Sequence, residues 1–198
     1  EGVESRIRNS ARVLGLACFD CSVLRESYDP SEGIERFNRH FTGVGLDEVF
    51  FIHPPWVAPS PLFPVNILLE PGHAFGTGTH ESTQLALAAM RPVLGGASSF
   101  LDVGTGSGIL AAAAGKLNPS VAITICDIDE TAVESAVETL RRNGMEAFTA
   151  VTGGPEVFTG NQFQVVAANL TSPVIISLLP VLASLASRHL IIAGFTRD

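Results

Sequence analysis

"SSFLDVGTGSGILAAAAGKL", residues 98–117, decides the fold. Its first part is an apolar run that ends in Asp102 and Val103 and reads as a buried strand. Glycines follow at 104, 106 and 108. A helix of small residues comes next and is stopped by Asn118-Pro119. A strand running through a glycine turn into a helix opens a βαβ unit. The second strand is "VAITICDID" (121–129), rich in β-branched residues. The second helix is "DETAVESAVETLRRNG" (129–144), with Val133, Ala136, Val137 and Leu140 on one face. Asp129 is placed to cap its start, Arg141 and Arg142 fall in its last turn, and Gly144 can end it.

The same alternation extends outward. "STQLALAAMRPVL" (82–94) has helical spacing. "AFTAVTG" (147–153), "FQVVAANL" (163–170) and "RHLIIAGF" (188–195) read as strands. "PVIISLLPVLASLA" (173–186) reads as a helix with Pro180 as a kink. Strands apolar on both faces, alternating with helices, predict an α/β fold: a doubly wound, mostly parallel sheet with right-handed crossovers. In such sheets the ligand lies beyond the carboxyl ends of the strands.

Residues 1–70 are less regular. "GIERFNRHFTGV" (33–44) predicts a short helix, and "EVFFIHPPW" (48–56) a strand stopped by Pro54 and Pro55. Five prolines in residues 54–64 predict a stiff, extended linker. "VNILLE" (65–70) reads as a short strand entering a second glycine-rich stretch, "EPGHAFGTGTHEST" (70–83). The expected organisation is a small α+β appendage over 1–52, a proline-rich linker over 53–64 and a ligand-binding domain over 65–198.

The totals narrow the function. Of 198 residues, 46% are hydrophobic and 16% charged, a composition that fills a core. A net charge of −8 argues against a broad nucleic-acid surface. Three cysteines, Cys18, Cys21 and Cys126, fit a reducing, cytoplasmic setting, and the lone C-x-x-C has no second pair to complete a zinc site. The first twenty residues carry no signal-peptide pattern. Residues 157–187 lack any charge, yet Asn169, Thr171, Ser172, Pro173, Ser177 and Pro180 interrupt them, so a buried strand and helix are expected rather than a membrane span. His40, His53, His73 and His189 show no ligand spacing, and no metal is expected.

The glycines define the ligand. Gly104, Gly106 and Gly108 are spaced G-x-G-x-G, not the dinucleotide G-x-G-x-x-G. No Lys follows Gly78, so the earlier stretch is not a phosphate loop either. Asp127 lies 23 residues after Gly104, at the end of the second strand, where a carboxylate can accept both ribose hydroxyls. Asp102 precedes the turn and can face a cationic amine, directly or through water. Together these features point to S-adenosylmethionine, a nucleoside without phosphates. Asp129 suits a helix cap at least as well as a ligand contact.

"EPGHAFGTGTHEST", "LDVGTGSGIL", "CDIDETAVESAVETLRRNG" and "VVAANL" closely resemble, in order and spacing, the ribosomal protein L11 methyltransferase (PrmA) family, over about residues 65–195. The resemblance implies a Rossmann-like class I methyltransferase fold. Its cofactor contacts fall on Thr83, Gly104, Asp127 and Asn169, with Gly106 and Ile128 beside them. Phe75, Gly76, Thr77 and His80 match the loop over the cofactor. The implied reaction is methyl transfer to a protein nitrogen, with a ribosomal protein as acceptor and no membrane or direct nucleic-acid partner. Asn169 would orient the acceptor amine through its carbonyl. His80 carries two readings, a general base and a residue that fixes the loop. Glu81 stands where the family has proline, and Leu170-Thr171-Ser172-Pro173 follows Asn169 where the family commonly has Ile-Leu-Ala. Residues 1–64 match the family's amino-terminal region poorly. The family continues with further strands, so the sheet within these residues is expected to lack its C-terminal closure. The competing readings are a methyltransferase for nucleic-acid base amines, an NAD-dependent dehydrogenase, disfavoured by the glycine spacing, and a non-catalytic cofactor-binding domain.

Overall fold

A five-stranded parallel sheet in the order β6-β5-β4-β7-β8 carries the fold. The computed structural model describes residues 42–70 and 80–195. The strands are β4 (Ser99–Val103), β5 (Ala122–Asp127), β6 (Phe148–Thr152), β7 (Phe163–Asn169) and β8 (Ala186–Ala193). The helices between and before them are α1 (Glu81–Leu94), α2 (Ile109–Leu117), α3 (Glu130–Arg142) and α4 (Ser172–Leu185), with a 3-10 turn at Pro155–Phe158. A three-stranded sheet precedes them: β1 (Val44–Leu46), antiparallel to β2 (Phe50–His53), which runs parallel to β3 (Val65–Leu68).

β4 is the central strand, and its side chains divide the interior. Phe100 faces a core shared with Ile123, Ile125, Val165 and Ala167, covered by α1, α2 and α3. Leu101 and Val103 face the opposite core with Val166 and Ala168, covered by α4 and Phe158 of the 3-10 turn. Alternation along a strand makes one sheet serve both layers. Helices therefore lie on both faces, as the apolar strands predict.

α2 is buried nearly all round, and Ala111, Ala112, Ala113 and Ala114 are fully inaccessible. Its small side chains let it sink between the sheet, α1, α3 and β3. A Cβ at Gly108 would lie 2.8 Å from Ala136 Cα, so α3 approaches α2 closely only because that carbon is missing. α3 starts as its sequence predicts, with Asp129 Oδ1 accepting from the Thr131 amide at 2.9 Å and the Thr131 hydroxyl at 2.8 Å. Gly144, at φ +84°, ends it, its amide donating to Arg141 O. Pro180 lies inside α4 without ending the helix.

The smaller sheet belongs to the same core. Phe50, Ile52 and Ile67 are at most 1% exposed and pack with Leu87, Met90 and Leu94 of α1. β2 precedes the proline-rich stretch and β3 follows it, yet the two are hydrogen-bonded over Phe50–His53 and Val65–Leu68. The expected boundaries at 52/53 and 64/65 thus run through one sheet, and residues 54–64 connect two of its neighbouring strands. The predicted helix over 33–44 falls almost wholly outside the described residues. Among them, no helix is long and apolar enough to cross a membrane.

One clasp between α3 and β3 has no counterpart in any motif. The Asn143 carboxamide accepts from the Leu68 amide (2.9 Å) and donates to Leu68 O (2.7 Å) and Thr139 O (2.8 Å). It pairs with β3 as another strand would. Arg142 adds ion pairs of 2.6 Å to Glu70 and Glu138. Asn143→Ala leaves both Leu68 groups unpaired. We expect it to lower unfolding free energy by about 1–3 kcal/mol, read as a lower urea midpoint at unchanged slope. An unaltered midpoint would reject the clasp.

Candidate active site

The carboxyl ends of β4, β5, β7 and β8 surround a cavity of about 450 Å³. The glycine turn after β4 forms one wall, and Gly104, Gly106 and Gly108 all take positive φ, between +52° and +78°. Side chains other than hydrogen would strain this backbone, and a Cβ at Gly104 would run into Leu170 and one at Gly108 into Ala136. The turn is tied to β5 by its backbone, since Gly104 and Thr105 amides both donate to Cys126 O at 2.9 and 3.1 Å.

Two carboxylates brace the turn from different sides. Asp102, 1% exposed, accepts through Oδ2 from the Thr105 hydroxyl (2.9 Å) and the Ala111 amide (3.2 Å). It thereby joins β4, the turn and the first turn of α2. Among the described residues, nothing donates to its Oδ1. Asp127 accepts from the Gly106 amide through Oδ2 and from the Asp129 amide through Oδ1, both at 3.1 Å. Each oxygen keeps a lone pair for a further donor.

Burial pushes the Asp102 carboxyl up from its ordinary 3.8 to about 7. Its bonds from Thr105 and Ala111 oppose that rise, and the nearby Asp127 charge adds to it. Cys126, buried behind the turn, is pushed up to about 12 by desolvation, so it stays a thiol.

The far wall comes from β7, β8 and the head of α1. Asn169 ends β7, and its Nδ2 donates to Thr83 Oγ1 at 3.1 Å. Thr83 is 1% exposed in α1. This bond turns the Asn169 carbonyl oxygen away from Thr83. Thr83, expected as a cofactor contact, therefore also orients Asn169. His80 is the N-cap of α1, and its Nδ1 accepts from the Ser82 amide at 3.2 Å and lies 2.8 Å from the Ser82 hydroxyl. Nδ1 is thus engaged as a helix cap, a contact compatible with both readings of His80, since Nε2 is a separate ring nitrogen. Glu81, the first residue of α1, sits where both proline and an acid suit a helix.

The structure thus brings together His80, Thr83, Asp102, Gly104, Gly106, Asp127 and Asn169 around one cavity. Ile128 is 82% exposed and does not line it. Phe75, Gly76 and Thr77 lie outside the described residues. Sequence reasoning missed Thr105, whose hydroxyl secures Asp102, and Gly194, which lines the cavity after β8. A glycine closing an apolar strand, as in "LIIAGF", is the signal that marks the latter. Leu170, Thr171 and Val174 also line the cavity.

The donor set fits a phosphate-free nucleoside carrying positive charge. The described residues lining the cavity include two carboxylates and no Lys or Arg. A pyrophosphate would meet repulsion there, whereas a sulfonium and an ammonium would meet the unengaged Oδ1 of Asp102 and the field of Asp127.

A family model described as ribosomal protein L11 methyltransferase (PrmA) matches residues 8–195. The chain is 42% identical over 140 residues to a ribosomal protein L11 methyltransferase of Syntrophotalea carbinolica, covering 69% of this chain and 45% of that protein. It is 38% identical over 156 residues to the Desulforapulum autotrophicum protein of the same name, covering 77% and 51%. The chain spans about half the length of these curated relatives. A crystal structure of a ribosomal protein L11 methylase from Lactobacillus delbrueckii subsp. bulgaricus matches with a TM-score of 0.72 at 30% identity, over 78% of this chain and 81% of that one. The Rossmann-like sheet, its glycine turn and these matches agree: the chain belongs to the ribosomal protein L11 methyltransferase family.

Proposed function

We propose that this chain binds S-adenosylmethionine and transfers its methyl group to an amino group of a protein, a ribosomal protein being the acceptor class. The observation that carries this reading is the Asn169–Thr83 bond at the cavity wall. It commits the Asn169 Nδ2 and leaves the carbonyl oxygen to accept an N–H. S-adenosylmethionine supplies, when bound, a methyl group already activated on a sulfonium. The chain's task is alignment. Asp127 keeps two lone pairs for ribose hydroxyls, and the glycine turn lets the backbone come close. Asp102 Oδ1 offers a partner for the ammonium end. Asn169 is uncharged, so it holds an amine by its N–H without stabilising the ammonium form. Leu170 and Val174 make one side of the wall apolar, which keeps water from competing there. Names of relatives support the acceptor class: the curated proteins matched are called ribosomal protein L11 methyltransferases.

Calorimetry should show S-adenosylmethionine and S-adenosylhomocysteine binding and NAD not binding. Absence of the first two would sink the reading. Asp127→Ala should weaken cofactor binding about tenfold or more. Asn169→Ala should mainly lower transfer of labelled methyl groups to purified ribosomal proteins. Label appearing in RNA would point instead to a base-amine methyltransferase.

Asp102 sets the pH dependence. Folding raises its pKa from 3.8 to about 7, so its favourable share of stability is complete below pH 3.8 and is lost as pH rises through 7. A cation bound beside it favours the ionised form, so cofactor affinity should rise with pH up to about 7, with proton release on binding. Asp102→Asn should flatten both trends between pH 5 and 8, in thermal melts and in calorimetry across buffers of different ionisation enthalpy. Parallel pH profiles for the two proteins would refute the assignment.

A further inference from the structure

We propose that Gly194 is a positioning residue of the acceptor subsite, its missing side chain fixing where the Asn169 carbonyl points. The inference rests on the methyl-transfer reading above and goes beyond it by assigning a role to the end of β8.

Asn169 and Ala193 are paired in register, and the Leu170 amide donates to Ala193 O at 3.0 Å. The next residue, Gly194, turns out of the sheet at φ +92° and lines the cavity. A Cβ there would run into Leu170 O and would lie 2.9 Å from Asn169 Oδ1, closer than side-chain carbons approach other atoms. Something must yield. The Leu170 backbone is pinned to β8 by its hydrogen bond, and its side chain packs where Gly104 lacks a Cβ. The Leu170 contact strains the backbone whatever the side chains do, whereas at the other contact the Asn169 carboxamide, held through Nδ2 to Thr83 Oγ1, is the element free to rotate. A methyl group at 194 therefore displaces Oδ1 and breaks the alignment that Thr83 provides. Gly194 and Thr83 act on the carboxamide from opposite ends: one holds its nitrogen, the other leaves room for its oxygen.

Backbone strain alone would also follow from replacing a glycine at positive φ. Gly160 separates the two effects. Its φ is +91°, and a Cβ there meets nothing within 4 Å. Gly160→Ala thus carries the same backbone penalty without the contact.

The test uses the full chain and two ligands. S-adenosylhomocysteine lacks any group at the transferred-methyl position. Sinefungin carries an ammonium-bearing carbon in place of the S-methyl group and so reports an acceptor oxygen nearby. Gly194→Ala should lower the affinity for sinefungin relative to S-adenosylhomocysteine about tenfold or more, the worth of one hydrogen bond to a charged group. Its affinity for S-adenosylhomocysteine should match that of Gly160→Ala, while its melting temperature should be lower because of the Leu170 backbone contact. A sinefungin ratio equal in the two variants overturns the proposal. If Gly194→Ala does not fold, Asn169→Ala must lower the same ratio by the same factor, and an unchanged ratio overturns it. A native chain that binds neither ligand removes the cofactor reading and this inference together. A native chain that binds both, with no change on Gly194→Ala, removes this inference alone.

Discussion

The glycine turn after β4 is held from below by Asp102 and from the side by Asp127, and the site depends on that double hold. Three glycines at alternate positions, all at positive φ, would otherwise be among the most pliable backbone in the chain. Asp102 joins the turn to α2, whose first-turn amide it accepts, while Asp127 joins it to β5 and to the start of α3. The same carboxylates that stiffen the turn keep lone pairs facing the cavity. In the proposed reading, rigidity and ligand recognition are supplied by the same atoms, and a ligand meets a wall already in place.

The electrostatic character of the cavity follows from this arrangement. Two acids lie within one small space, and no Lys or Arg among its described lining residues balances them. Asp102 responds by moving its titration toward neutrality, because a buried carboxylate without a cation is costly. A positively charged ligand relieves that cost, and an anionic one adds to it. The preference proposed for a sulfonium nucleoside over a dinucleotide thus rests on charge balance as much as on glycine spacing.

The walls on the other side are assembled from distant parts of the chain. Thr83 and Asn169 are 86 residues apart and meet only because α1 packs across β7 and β8. Gly194 reaches them because β8 pairs with β7 in a register that sets Ala193 opposite Asn169. The small sheet contributes indirectly. Asn143 and Arg142 tie the end of α3 to Leu68 and Glu70, at the point where β3 leads toward the glycine-rich residues 70–83. The proline-rich residues 54–64, which read as a linker between bodies, instead join two paired strands. Proline content reports local stiffness and carries no information on whether the flanking strands meet.

Much of the fold was legible because its signals are local. The apolar run before Gly104, the glycine spacing, the Asp129 cap and the one-sided helix 130–142 each depend on residues within a turn or two of one another, so the sequence alone determined the βαβ core and the placing of Asp102 and Asp127 at the carboxyl ends of its strands. Tertiary structure decided what pairing and packing control. It turned His80 into a helix cap, placed Ile128 in solvent, made Thr105 the partner of Asp102 and set Gly194 beneath Asn169. Those outcomes depend on strand register and helix docking across tens of residues, and no short stretch of sequence encodes a distance between two side chains that share no local frame.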